Sequence, residues 1–94
     1  MTLTEIYSIL ESNTFYTEEG MNKFIFANNA IRIDRRALIP FSIYKQNDDF
    51  ILDPDTAITS EKELRIEIEN AEEMLIHFYG KQTGKKLLTL NEYR

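Results

Sequence analysis

Apolar residues recur along this chain with two spacings, and the change from one to the other divides it into elements. Leu3, Ile6, Tyr7, Ile9 and Leu10 fall at helical intervals within Thr2–Ser12, with Thr2 or Thr4 placed to accept the first free backbone N–H groups. Asn13 and Thr14 end that helix. Phe15 and Tyr16 then begin an extended piece that runs into a Glu18-Glu19-Gly20 turn. From Met21 the spacing shortens to alternation. Lys23–Ala27 and Ala30–Asp34 flank Asn28-Asn29, a pair suited to a tight turn because Asn tolerates positive φ. Phe24 and Phe26 then share a face with Ile31 and Ile33. A third strand is predicted within Ala37–Lys45, where Ile39, Phe41 and Ile43 alternate and Pro40 pushes the segment toward a sheet edge. Gln46–Asp49 turns, Phe50–Leu52 is a fourth strand, and Asp53-Pro54-Asp55 reverses the chain.

The segment after Ser60 supports two readings. Ser60 and Glu63 have the spacing of a capping box, and Leu64, Ile68, Ala71, Leu75 and Phe78 form one helical stripe. Leu64, Ile66 and Ile68 also alternate with Arg65, Glu67 and Glu69, which fits a strand to Glu69 with Asn70 capping a shorter helix. The density of Glu, Lys, Leu, Arg, Met and Ala favours a single long helix, closed by Gly80 or Gly84, with Lys81, Lys85 and Lys86 near its negative end. Leu87–Leu90 then packs back on the sheet. The expected fold class is α+β: one domain over 1–94 with an N-terminal helix, an antiparallel sheet of about four strands, and a long acidic helix packed on one face.

Composition narrows what such a domain does. No cysteine is present and His77 is the one histidine, which removes thiolate nucleophiles, disulfides, Cys-ligated zinc and multi-histidine metal sites. The net charge of −5 opposes attraction to nucleic acid phosphates and anionic membranes. No apolar run approaches the ~18 residues of a membrane span, and Met1–Leu10 lacks the pattern of a secretory signal, so the expectation is a cytoplasmic protein without a membrane role. Usage skewed toward Ile, Asn, Lys, Glu, Tyr and Phe is that of an AT-rich bacterial or phage genome.

Motif searches end in exclusions. Asp53 and Asp55 open like a calcium loop, but Ala57, Ile58 and Leu64 occupy positions that need a ligand, a glycine and a glutamate. Gly80–Lys86 differs from a phosphate-binding loop in spacing and in its last residue. On the long helix His77 lies about 140° from the centre of the apolar stripe, hence exposed or at a contact surface, and the adjacent sequence supplies neither a nucleophile nor an orienting group for it. Neither a catalytic residue nor a metal or cofactor is expected.

Recognition remains. Between Ser60 and Glu73, six acids (Glu61, Glu63, Glu67, Glu69, Glu72, Glu73) face two bases (Lys62, Arg65), and on a continuous helix Ile66 and Ile76 protrude among them. An apolar centre within a charged rim is the make-up of a protein-binding face. The first expectation is a non-enzymatic protein that binds a basic partner through Glu63, Glu67, Glu69, Asp48, Asp49 and Ile66. In general type it looks like the small acidic inhibitors, immunity and accessory proteins of bacteria, phages and mobile elements that act on nucleic-acid-handling targets. The alternative is a small nucleic-acid-binding or replication accessory protein using Arg32, Arg35, Arg36, Lys85 and Lys86, with Phe24 and Phe26 as stacking platforms. An enzyme or a metal protein is the third reading, which bound metal would revive, and the sequence leaves open a homodimer through the exposed apolar residues.

Overall fold

A computed structural model describes residues 1–70 and 74–92. Helix α1, Leu3–Ser12, forms where the helical spacing predicts it. Thr2 Oγ1 accepts from Glu5 N (3.2 Å) and Glu5 Oε1 accepts from Thr2 N (2.9 Å), so both members of a capping box are satisfied. Strands β1 (Thr14–Thr17), β2 (Lys23–Ala27), β3 (Ala30–Ile33), β4 (Ile39–Gln46) and β5 (Asp49–Pro54) follow the alternation. Asn28 and Asn29 take φ of 53° and 60°, the positive values of a tight hairpin, and Phe24 and Phe26 stand opposite Ile33 and Ile31.

The long acidic helix does not exist. Leu64–Asn70 is strand β6, Met74–Gly80 is β7, and Lys86–Glu92 is β8. The eight strands close into an antiparallel barrel in sequence order, with β8 pairing β1 through Leu90↔Thr17, Asn91↔Tyr16 and Glu92↔Phe15. The α+β expectation of a four-strand sheet under a long helix is therefore corrected to a β-barrel with one short helix. The physical reason lies in Ile66 and Ile76. A helix would bury one stripe and leave both in water, at about 1.5–3 kcal/mol each; the hairpin turns Leu64, Ile66, Ile76 and Phe78 all inward, with Ile66 facing Phe78 and Leu64 facing Gly80. That gain outweighs a helix propensity worth tenths of a kcal/mol per residue. Ser60 and Glu63 cap nothing and lie in the β5–β6 connection. Gly80–Lys86 becomes the β7–β8 turn, in which Gly84 N donates to Gly80 O (2.8 Å) and Gly84 adopts φ +73°. Ala71, Glu72 and Glu73, which the long-helix reading used, lie outside the described residues.

The interior is packed with side chains, as a barrel of this strand number allows. Phe15, Phe26, Phe78, Ile31, Leu52, Leu64, Ile76 and Leu90 are fully buried. Phe26 meets Phe15 (6.1 Å, 80°) and Phe41 (5.7 Å, 88°) edge to face. Ladder β3–β4 is short, Ala30↔Pro40 and Ile31↔Ile39, so β4 runs on beyond it. Helix α1 fills that gap: Ile6 and Leu10 are buried, Tyr7 stacks on Phe41 (5.8 Å, 21°), and Ile43 N donates to Tyr7 Oη (3.1 Å). Pro40 thus sits where the ladder is weakest in a closed sheet.

Candidate interaction surfaces

Barrel topology sorts the loops onto two ends. The helix end carries α1, the Asn28-Asn29 tip, the β4–β5 tip at Asn47-Asp48 and the end of β8; the loop end carries the β1–β2, β3–β4, β5–β6 and β7–β8 connections. Charge divides unevenly between them. Among the described residues the helix end holds Glu5, Glu11, Asp48, Asp49, Glu69 and Glu92 against one base, Lys45, while the loop end has seven acids and seven bases.

Asp48 and Asp49 are exposed at the hairpin tip. Phe50 pairs with Ile66, so the register sets Asp49 next to Glu67 on the neighbouring strand. Glu67 and Glu69 point outward from β6; Glu67 Oε2 accepts from Arg65 Nη1 (3.1 Å). Arg65 lies 4.4 Å above the Tyr79 ring. Ile66, expected to protrude, is 7% exposed and belongs to the core, which removes it from any contact surface. Glu63 stands apart at the loop end. Tyr44 Oη donates to Glu63 Oε2 (2.5 Å) and Lys81 Nζ to both Tyr44 Oη and Glu63 Oε2 (3.0 Å each). The Tyr44 hydroxyl and then Lys81 hold the Glu63 carboxyl below the usual range, and the same contacts, Tyr44 first, raise Lys81. This trio borders a surface hollow of about 380 Å³ lined by Ser60, Glu61, Lys62, Glu63, Lys81 and Gln82.

The basic residues of the nucleic-acid alternative do not gather. Arg35 and Arg36 lie in the β3–β4 connection, Lys85 and Lys86 at the β7–β8 turn, and these positions are four strands apart in a ring of eight, on opposite sides of the mouth. Arg32 faces outward from β3 opposite Ile25, while Phe24 and Phe26 point into the core. The exposed apolar side chains are split too: Met1 and Leu3 at the start of the helix, Met21 and Leu38 at the loop end.

Sequence reasoning missed one cluster. His77 is 8% exposed rather than free in solvent. It lies on the outer face between Glu67 and its direct partner Thr89, with Nδ1 3.0 Å from Thr89 Oγ1 and Nε2 2.9 Å from Glu69 Oε2. The hydroxyl and carboxylate that no adjacent motif supplied arrive across strands. The alternation of Glu67, Glu69, His77 and Tyr79, read as strands, is the signal that brings them together. Among the described residues no group of three or more His, Asp or Glu side chains is arranged to hold a metal ion, and no helix is long and apolar enough to cross a membrane. Compared with protein-family models, curated proteins and solved structures, the chain matches none.

Proposed function

We propose that this chain is a non-enzymatic binding module whose helix end docks on a basic surface of a protein partner, in the manner of an inhibitor, immunity or accessory protein acting on a nucleic-acid-handling target in the cytoplasm. The observation that carries the reading is the charge axis: nearly all the excess negative charge of the described residues stands at one end of the barrel. Such a pole steers a cationic partner over roughly a Debye length, about 10 Å at 0.1 M salt. Asp48, Asp49, Glu67 and Glu69 are the contact residues, held on paired strands and a two-residue tip so that little order is lost on binding. Glu63, already engaged by Tyr44 and Lys81, serves the loop end instead.

The test compares charge reversals of equal size. After recovery of a partner from host lysate at low salt, affinity for the purified partner is measured for Asp48→Lys/Glu69→Lys and for the loop-end control Glu19→Lys/Asp55→Lys. The helix-end pair is expected to weaken binding at least about tenfold, equivalent to ~1.4 kcal/mol, with the control near the parent value and binding falling steeply with salt. Equal losses from the two pairs, or no recovered partner, overturn the reading.

A further inference from the structure

The cross-strand chain Thr89–His77–Glu69 carries chemistry beyond the negative charge that Glu69 lends to docking. Glu69 is 58% exposed and, as a carboxylate, can only accept, so in the neutral imidazole the proton sits on Nε2 and points at it. Nδ1 is then the acceptor, and the Thr89 hydroxyl must be the donor across the 3.0 Å contact. A hydroxyl held on the free nitrogen of an imidazole whose other nitrogen is oriented by a carboxylate is an activated nucleophile. A groove lies beside it. Strand β1 ends at Thr17, opposite Leu90, so β8 continues from Lys86 to Thr89 with no neighbour on that side among the described residues. Thr89 is 8% exposed and is one of the residues lining a surface groove of about 280 Å³ there, with Thr17, Glu18, Glu19, Lys86, Leu87 and Leu88.

We infer that Thr89 is a site of covalent acylation, taking one acyl group per chain from an activated carboxylic ester. The Thr89 oxygen bonds to the carbonyl carbon while its proton passes to His77 Nδ1. The carbonyl re-forms as the bond to the leaving oxygen breaks, and the leaving group takes the proton from His77, which leaves acyl-Thr89. Glu69 is the positioning residue for the ring.

The probe is an aryl acetate, with peptide mass spectrometry to locate the acetyl group and hydroxylamine to separate esters from lysine amides. Thr89 is expected to acquire a hydroxylamine-labile acetyl at least about a hundredfold faster than exposed Thr56 of the same chain, the scale of general-base assistance. Thr89→Ser keeps the labelling and Thr89→Val loses it. His77→Gln lowers the rate about a hundredfold with the far-ultraviolet circular dichroism unchanged, and Glu69→Gln lowers the maximal rate without changing the ester concentration for half-saturation. Labelling of Thr89 no faster than of Thr56, or labelling unchanged in His77→Gln, overturns the inference. Either result leaves the charge-reversal test untouched.

Discussion

At Gly80 a hydrogen stands where any other residue carries a carbon, and Glu61 uses the space. A Cβ built there comes within 1.8 Å of Glu61 Oε2, while that carboxylate accepts from Thr83 Oγ1 and from Gln82 N (2.9 Å), tying the β5–β6 connection to the β7–β8 turn. Gly80→Ala is expected to expel the flexible carboxylate and lose these bonds, lowering the midpoint of denaturant melts. Acid acts on the same kind of contact. The Asn22 amide, then the Lys23 N–H, hold the Asp34 carboxyl below its ordinary value; Thr83, then Gln82, do so for Glu61; the Thr2 N–H, then its hydroxyl, do so for Glu5. A folded value below the unfolded one contributes stability that is complete above the unfolded pKa, near 4, and disappears as pH falls through the lower folded value. The melting midpoint is therefore expected to hold from neutral pH to about 5 and to drop below about 4. Asn22→Ala should lower it at neutral pH and flatten the acid limb. No motif announced these partners, because Asp34 and Asn22, or Glu61 and Thr83, are brought together by strand register and not by local spacing.

Elements differ in how much of their form was legible. Helix α1 and the β2–β3 hairpin are decided locally, by a capping residue, a helical stripe and two adjacent asparagines, and the sequence reading matches the structure at each. The region 64–80 carried both periods. There propensity and a capping-box spacing argued for a helix, and the burial of Ile66 and Ile76, a tertiary term that depends on the other strands, reversed the outcome. The same reversal produced the candidate site: on a helix His77 and Thr89 have no relation, whereas across β7 and β8 they are direct partners. For α1 the expectation is energetic. Leu10 is fully buried against the end of the barrel and Tyr7 supplies the oxygen for Ile43 N. Leu10→Ala should cost about 2–5 kcal/mol in chemical denaturation, by lost transfer energy and the cavity left behind. Tyr7→Phe, which leaves one backbone N–H without its acceptor, should cost about 1–3 kcal/mol.

At the scale of the whole molecule, closure stabilises a chain that has no cysteine and hence no disulfide. An open sheet of these strands would present two edges, and the β1–β8 seam removes most of both, leaving the short free stretch of β8 beside Thr17. Closure also fixes the charge axis, because alternating hairpins deliver α1, Asp48-Asp49 and Glu92 to one end whatever their distance in sequence. Phe15 is the keystone of that arrangement. It is fully buried, faces Phe24 on one side and Glu92 on the other, and meets the Phe26 ring edge-on, so it belongs to the seam and to the core together. Phe15→Ala is expected to cost about 3–5 kcal/mol. Strand β1 has no independent core, so its loss reopens the barrel and denies every other strand its closed ladder. Unfolding of the variant should accordingly remain a single transition, seen at one midpoint by far-ultraviolet circular dichroism and by tyrosine fluorescence, the chain having five tyrosines and no tryptophan. Two separated transitions would mean that β1 peels from a barrel able to stand without it, and the seam would then be a latch and not the closure on which the fold depends.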